Sequence, residues 1–329
     1  MPVISGIRRS LRAAAAAATV TAVAAAPLPA AAHTTAPART APRVAEPVPI
    51  KLPGTGVTVY EDVADPVRVT SYTVGRDAYL RRGASFVRRS GDSEVTVAPK
   101  GVRALGVAAA YTSGYDSVNL FEVATGRGDR IRTVRKPLVA NLARWARDGS
   151  KAVLTVRRKT GTRWRTTGFV VVNATGRSAR VVTVRDVDAS AVFRWSPTGA
   201  ELMAGHAGGV RFYAPDGTVR STSTGTGTPA GGEDAFSPSG RRVSTWCPAS
   251  YAEHVCVWNR TDGRLETRVN IRPESLWGWW DDDHLIAVVA HGAARRAVLA
   301  DLRGGTARVL AEIPAADWGR RLYLSYTRK

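Results

Sequence analysis

The sequence predicts an all-β fold built from a repeated unit, and three observations support this prediction. From Gly56 onward, short runs of Val, Ala, Leu and aromatic residues are bounded by Gly, Pro, Asp or Ser, with no long 3.6-residue period. Two short phrases also recur along the chain, and both recur with the same spacing. The hydrophobic fraction of 44% is enough for a globular core, so wholesale disorder is excluded.

The first phrase is an apolar or aromatic anchor, a tight turn that ends in Gly, and then an apolar strand. The anchors are Val97, Trp145, Trp195, Phe236 and Trp280, which are separated by 48, 50, 41 and 44 residues. The turn is Ser-Pro-x-Gly in two repeats and is shortened to Asp281–Asp283 in the last. Because Pro fixes φ and Gly accepts a positive φ, the phrase predicts a hairpin between two strands.

The second phrase is an apolar strand that ends in a Gly turn. Its glycines are Gly126, Gly176, Gly217, Gly263 and Gly304, which are 50, 41, 46 and 41 residues apart. Two independent markers with one period define a unit of about four short strands, the size of a propeller blade. A single small sheet cannot bury both of its faces alone, whereas sheets stacked around an axis can.

The anchor-Ser-Pro-x-Gly phrase, as in Trp195–Gly199 and Phe236–Gly240, resembles the repeat of TolB-like and WD-repeat-like β-propellers. The resemblance covers roughly residues 91 to 308, in five repeats. It implies a propeller of four-stranded blades and a role in binding proteins. It says little about the partner, because this repeat serves many unrelated roles.

The two ends of the chain supply parts of a further blade. Residues 318–324 are similar to an inner strand without its blade, and residues 57–60, 67–74 and 78–87 are strands without a preceding anchor. Joining both ends in one blade closes the ring and removes open sheet edges. The prediction is therefore one propeller domain over residues 56–329, with six blades favoured and seven possible.

The N-terminus predicts export. Arg8, Arg9 and Arg12 precede an Ala-rich run, and Ala30-Ala31-Ala32 supplies a cleavage site, so residues 1–32 are typical of a signal peptide. A Sec signal is favoured over a twin-arginine signal, because most of the twin-arginine motif is missing. Residues 33–55, rich in Ala, Pro and Thr, predict an extended spacer. The mature chain is thus expected to be secreted or extracytoplasmic, with no transmembrane segment.

The net charge of +20 comes from 47 basic and 27 acidic residues, and it falls to +17 if the signal peptide is removed. The arginines are scattered in the sequence, often as pairs such as Arg157–Arg158, with no localised basic stripe. The prediction is a monomer that binds a protein or an anionic cell-envelope polymer, and no nucleic acid.

The two cysteines, Cys247 and Cys256, lie where the second and third strands of one blade should meet. Cross-strand cysteines can satisfy disulfide geometry, and an exported protein meets an oxidising compartment. The sequence therefore predicts a structural disulfide rather than a nucleophilic thiol.

Acidic and amide residues in the segments that lead into the inner strands are the candidates for an axial binding face. They are Asn141, Asp188, Asp234 and Glu274. If they converged, they could hold a cation and make the chain a small propeller hydrolase or lyase. Their spacing relative to the anchors is irregular, so no catalytic residue, metal or cofactor is predicted. The favoured function is a non-catalytic binding propeller, and the metal-dependent enzyme is the alternative.

Overall fold

Six antiparallel sheets, arranged as the blades of one ring, dominate residues 46–329, which are the residues that the computed structural model describes. The predicted signal peptide, and residues 33–45 of the predicted spacer, lie outside these described residues. In chain order the elements are β1 Val48–Lys51, β2 Thr58–Glu61, β3 Val67–Val74, β4 Asp77–Arg82, β5 Ser85–Arg88, β6 Asp92–Val97, β7 Arg103–Ala108, β8 Tyr115–Glu122, β9 Gly128–Arg135, β10 Leu138–Trp145, β11 Lys151–Thr160, β12 Arg163–Asn173, β13 Ser178–Thr183, β14 Arg194–Trp195, β15 Leu202–His206, β16 Gly209–Tyr213, β17 Val219–Ser223, β18 Thr228–Pro229, β19 Arg242–Trp246, β20 Val255–Asn259, β21 Leu265–Val269, β22 Ser275–Trp279, β23 His284–His291, β24 Ala294–Asp301, β25 Thr306–Ile313, α1 Ala315–Gly319 and β26 Tyr323–Arg328.

Each blade has four strands in order from the axis outward, which confirms the predicted fold and the favoured count of six blades. Blade 1 contains β26, β3, β4 and β5, and blades 2 to 5 contain β6–β9, β10–β13, β14–β17 and β18–β21. Blade 6 contains β22–β25 and carries β2 and β1 on its outer edge. Since the strands alternate in direction, the turns after the innermost strands share one end of the ring, called here the turn face. The connections between blades, and between second and third strands, share the other end, called here the loop face.

The anchor turns form as their sequence predicts. The amide of Gly199 donates to the carbonyl of Ser196 at 2.8 Å, and the amide of Gly240 donates to that of Ser237 at 2.7 Å. Gly240 has a φ of +74°, and a Cβ there would come within 2.9 Å of the Pro197 ring of the preceding blade. Glycine is therefore required both for the turn and for the close approach of two neighbouring turns.

Six apolar clusters form the core, and each lies mainly between two adjacent blades. Between blades 3 and 4, for example, the rings of Phe169 and Phe193 lie 4.8 Å apart. The predicted anchors take part in this packing, because Val97, Trp195, Phe236 and Trp280 are all buried at the turn-face ends of the inner strands. The stability of the ring thus comes from stacking sheet faces, as the repeat implied.

The ring closes through pairing of β26 with β3, which runs from Tyr323 opposite Thr73 to Arg328 opposite Val67 with one register shift between Ser325 and Tyr326. This confirms that both ends of the chain share one blade. Two details differ from the prediction. Trp318 lies in the short helix α1, so the inner strand starts later, at Tyr323. Residues 57–60 do not join the closing blade, because β2 pairs with β25 at the edge of blade 6.

The propeller also starts earlier than the predicted boundary at residue 56. Strand β1 lies inside the predicted spacer and pairs with β2. Leu52, also in the predicted spacer, is 1% exposed and belongs to the apolar cluster between blades 6 and 1. These residues cover the outer edge of blade 6 with a hairpin, which leaves that sheet six strands wide.

A disulfide joins Cys247 to Cys256 with a Cα–Cα distance of 5.0 Å, as predicted. It closes the connection between β19 and β20 on the loop face of blade 5. Among residues 46–329, no helix has the length and hydropathy needed to cross a bilayer.

Candidate axial binding site

The inner strands leave a funnel at the turn-face end of the axis, with a volume of about 280 Å³. Its aromatic lining comes from Trp145, Phe236, Trp277, Trp279 and Tyr326, of which all but Trp145 are buried. Its charged lining comprises four basic and two acidic side chains, which are Lys100, Arg147, Arg328, Lys329, Glu233 and Asp234. An apolar pocket with a few charged groups around it is the usual form of a binding site.

Nearer the middle of the axis, Arg144 of β10 forms a buried polar cluster with Glu94 and Glu233, called here the axial plug. Arg144 is 7% exposed, and its Nε donates to the carbonyl of Gly232 at 2.5 Å. Its Nη1 lies 3.7 Å from Glu94 Oε1 and 3.8 Å from Glu233 Oε2. Burial opposes its charge, but the carboxylates of Glu233 and Glu94 outweigh burial and raise the pKa of Arg144. The plug therefore keeps its charge and joins blades 2, 3 and 5.

Glu94 also holds the backbone of the next blade. Its two carboxylate oxygens accept hydrogen bonds from the amides of Leu142 at 2.8 Å and Ala143 at 2.7 Å. Leu142 has a φ of +57°, and the β10–β11 register is broken between Asn141 and Arg144. The bulge turns the Arg144 side chain toward the axis, and Glu94 satisfies the amides that the bulge frees.

Blade 1 completes the plug from the other side. Glu233 Oε1 accepts a hydrogen bond from Ser325 Oγ at 2.7 Å, and Tyr323 Oη lies 3.4 Å from the same oxygen. A Cβ on Gly232 would lie 2.0 Å from Tyr323 Oη, so only glycine fits beside this ring. The Gly231-Gly232 pair lets the inner segment of blade 5 approach the closing strand.

Arg194 of β14 is a second buried arginine at the axis, and it contacts no carboxylate within 4.0 Å among residues 46–329. Its Nε and Nη2 donate to the carbonyl of Gly231 at 3.1 and 2.7 Å. Burial, together with the like charge of Arg144, lowers the pKa of Arg194 to about 10. The guanidinium remains a cation at neutral pH, held by backbone dipoles.

Arg147 connects blades 3 and 5 at the funnel. Its Nε donates to Asp234 Oδ2 at 2.8 Å, and its Nη atoms donate to the carbonyls of Phe236, Ser237 and Pro238 at 3.0, 2.7 and 2.7 Å. Burial raises the pKa of Asp234, while the Arg147 cation opposes that rise. The pair fixes one wall of the funnel and leaves Asp234 partly open to it.

The four predicted axial residues have different surroundings. Of the four, only Asp234 lines the funnel. Asp188 accepts the amide of Ala207 at 3.1 Å, and Glu274 lies 2.7 Å from Arg295 of β24. Asn141 lies at the bulge of β10, and its buried side-chain oxygen has no hydrogen-bond partner among residues 46–329.

No group of three or more His, Cys, Asp or Glu side chains within the described part of the chain could hold a metal ion.

The sequence reading missed Arg144 and Arg194, which dominate the axis. Each directly precedes an anchor tryptophan, Trp145 or Trp195. Alternate residues of a strand point to opposite faces, so neither arginine shares the face of its anchor. Both guanidinium groups reach the axis, where they donate to the carbonyls of Gly232 and Gly231. The repeated Arg-Trp pair was the available signal.

No protein-family model and no curated protein matches the sequence. Solved structures similar to the chain include TolB from Acinetobacter baumannii, with 12% identity over 82% of this chain and 67% of that one and a TM-score of 0.48. A putative TolB from Agrobacterium tumefaciens has 12% identity over 81% and 99%, also with a TM-score of 0.48. A chain of a mitotic checkpoint complex has 13% identity over 93% and 99%, with a TM-score of 0.50. At these identities the likeness concerns the fold alone, so the chain is a six-bladed β-propeller whose structural neighbours include TolB proteins.

Proposed function

We propose that this chain is an exported, non-catalytic β-propeller that binds a partner protein through the axial funnel. The observation that carries the proposal is the funnel itself, where buried aromatic rings meet four basic side chains at the open end of a closed ring. Aromatic and arginine side chains in a recess are typical centres of protein interfaces.

The chemistry of the lining indicates what kind of segment fits. Basic side chains outnumber acidic ones by four to two, so an acidic residue of the partner would meet favourable charge. An apolar side chain next to it would cover the rings of Trp145 and Trp277. The volume of about 280 Å³ admits a short protruding segment rather than a whole domain.

The contacts of the axial carboxylates favour binding over catalysis. Glu94 accepts hydrogen bonds from two backbone amides, Glu233 accepts one from the Ser325 hydroxyl, and Asp234 accepts one from the Arg147 guanidinium. Each is committed to holding the ring together, whereas a general base must be free to reach a substrate proton. Within residues 46–329, no specific contact favours the alternative of a metal-dependent hydrolase or lyase.

Export is supported by two independent features. The N-terminal sequence has the composition of a Sec signal, and the described part of the chain contains a disulfide, which persists in oxidising compartments. On this proposal the mature monomer begins at His33, which N-terminal sequencing of protein recovered outside the cytoplasm would test.

The binding proposal is tested by site-specific photo-crosslinking in the cells that produce the protein. A photoreactive amino acid at Lys100, an exposed position on the funnel, should give one discrete protein adduct. The same group at Val219, which is 48% exposed on an outer strand of blade 4, is the control and should give none. Equal labelling from both positions, or no adduct from Lys100, would contradict a protein partner at the funnel.

A further inference from the structure

A basic hairpin on the loop face of blade 3 forms a second, separate feature. Its strands, β11 and β12, have 10 and 11 residues and are the longest of the described chain. Pairing with β10 ends at Arg158, and pairing with β13 ends at Gly168. Residues 159–165 are therefore flanked on neither side by another strand, and they project as a two-stranded ribbon, here called the basic ribbon.

The ribbon and its base concentrate positive charge. Five of the nine residues from Arg157 to Arg165 are basic, and no acidic residue occurs between Asp148 and Asp186. None of the five has a carboxylate within 4.0 Å, although many arginines elsewhere in the described chain form ion pairs. The five basic residues are thus a cluster in the sequence as well as in the fold.

The register places like charges face to face. Arg158 is directly opposite Arg165, and Arg163 follows on the same face because it is opposite Thr160. The other face carries Arg157 and Lys159 around Trp164, whose ring lies 5.8 Å from the Arg157 guanidinium. Like charges directly opposite each other destabilise a strand pair, so this arrangement costs folding energy unless an anion neutralises it.

We propose that the basic ribbon binds a flexible polyanion, a polymer that carries phosphate groups along its length. Guanidinium groups match phosphate oxygens with two parallel hydrogen bonds, and four of the five basic residues are arginines. Trp164, 40% exposed, offers apolar contact to the polymer backbone between charges. The site lies at the opposite end of the ring from the funnel and does not depend on the function proposed for it.

The distribution of charge on both faces of the ribbon favours a flexible chain over a lipid surface or a duplex. A planar membrane, or the floor of a nucleic-acid groove, meets one face of a ribbon. A flexible polymer can pass along both faces and reach Arg163 and Lys159 together. The tip itself is Thr160-Gly161-Thr162, which has no apolar residue to insert between lipid headgroups.

The test measures binding of long-chain polyphosphate to the full chain, with and without the triple substitution Arg158→Gln, Arg163→Gln, Arg165→Gln. The control carries Arg76→Gln, Arg127→Gln and Arg220→Gln, which removes the same charge from exposed positions on blades 1, 2 and 4. We expect the ribbon variant to bind at least about 10-fold more weakly and the control to change less than about 2-fold. The slope of log affinity against log salt should fall by about 2, since each lost phosphate contact removes about 0.7.

The opposite outcomes are equally defined. Equal loss in both triple variants would show that only net charge matters and would overturn the site. Tighter binding of anionic phospholipid vesicles, or of duplex DNA, than of polyphosphate at equal salt would overturn the assigned partner. Lys100→Glu at the funnel should leave polyphosphate affinity unchanged, so failure of the funnel proposal and failure of this one are distinguishable.

Discussion

Blades 3 and 5 have the same architecture, but blade 3 is strongly basic and blade 5 has a balanced charge. From Leu138 to Thr183, blade 3 has ten basic residues and one acid, whereas blade 5 has five of each from Thr228 to Val269. Their connections on the loop face differ as well. Blade 3 projects the basic ribbon, and blade 5 has a short connection held by the disulfide.

Blades 3 and 5 share the contacts that build the ring and differ in the connections on the loop face. Both blades stack apolar faces on their neighbours, and both place an anchor at the end of the inner strand. The two are also joined directly across the axis, because Arg144 and Arg147 of blade 3 donate to backbone carbonyls of blade 5. The shared parts carry stability, and the connections on the loop face are free to carry different chemistry.

Removal of the Arg144 contacts across the axis should give the largest decrease in stability. Arg144→Ala would leave Glu94, Glu233 and the carbonyl of Gly232 buried without their cation. Breaking a buried pair on one side costs about 3–5 kcal/mol, which urea unfolding would measure. Arg264→Ala, on an exposed turn of blade 5, should change the free energy of unfolding by less than about 0.5 kcal/mol. A similar small change for both would show that the plug does not join the blades.

Loss of the disulfide in blade 5 should give the next largest decrease in stability. Replacing Cys247 and Cys256 by Ser removes a constraint on a short loop, with residues 9 apart in sequence. The chain-entropy model gives a loss of about 2.5 kcal/mol for such a loop. Hydrogen exchange should accelerate in β19 and β20 and stay unchanged in β11 and β12. Faster exchange spread over the whole ring would contradict a local role.

In the basic ribbon of blade 3, we expect a substitution to increase stability. Arg165→Gln removes a like charge opposite Arg158 and should raise the free energy of unfolding by about 0.5 kcal/mol at low salt. The matched change in blade 5, Arg268→Gln, removes a partner of Glu253 at 3.2 Å and should be neutral or slightly destabilising. Thermal unfolding at low and high salt measures both, because salt should erase the gain. A loss for Arg165→Gln would mean that the facing arginines are not in repulsion.

The smallest predicted effect is a pH dependence at the junction of the two blades. Burial raises the pKa of Asp234, so the folded chain holds this proton more tightly than the unfolded chain. Stability from this group is present at low pH and is lost as pH rises from about 4, the usual Asp value, through the raised folded pKa. Asp234→Asn should flatten that decline in pH-dependent unfolding. The control, Asp216→Asn, should act with the opposite sign, because hydrogen bonds from Thr218 lower the pKa of Asp216.

The sequence was sufficient for the fold because anchors and glycine turns are local signals that repeat. Ring closure could also be predicted, since an inner strand was missing at one end of the chain and present at the other. The placement of β2 could not, because its partner β25 lies about 250 residues away and an outer edge pairs through backbone groups of any sequence. Trp318 was assigned to a strand because five residues of helix leave no measurable period.

The candidate site was only partly predictable. The sequence analysis predicts Asp234, which does line the funnel. The other predicted residues, Asn141, Asp188 and Glu274, were chosen because they lead into the inner strands from the loop face, whereas the funnel lies at the turn face. The basic cluster at residues 157–165 is visible in the sequence, but only the register of β11 and β12 shows that Arg158, Arg163 and Arg165 share one face. Charge distribution in a folded chain depends on pairing across strands, which residue counts do not contain.

The innermost strand of blade 1 has a consequence for the order of assembly. β26 supplies Tyr323 and Ser325 to the axial plug and Arg328 to the funnel, and it is separated in sequence from the rest of its blade by the other five blades. A chain that is synthesised from its N-terminus can stack its blades before this strand is made, but it cannot complete the funnel. The funnel is therefore the last part of the ring to be completed, and a chain that stops before Tyr323 has the basic ribbon without a complete funnel at the other end.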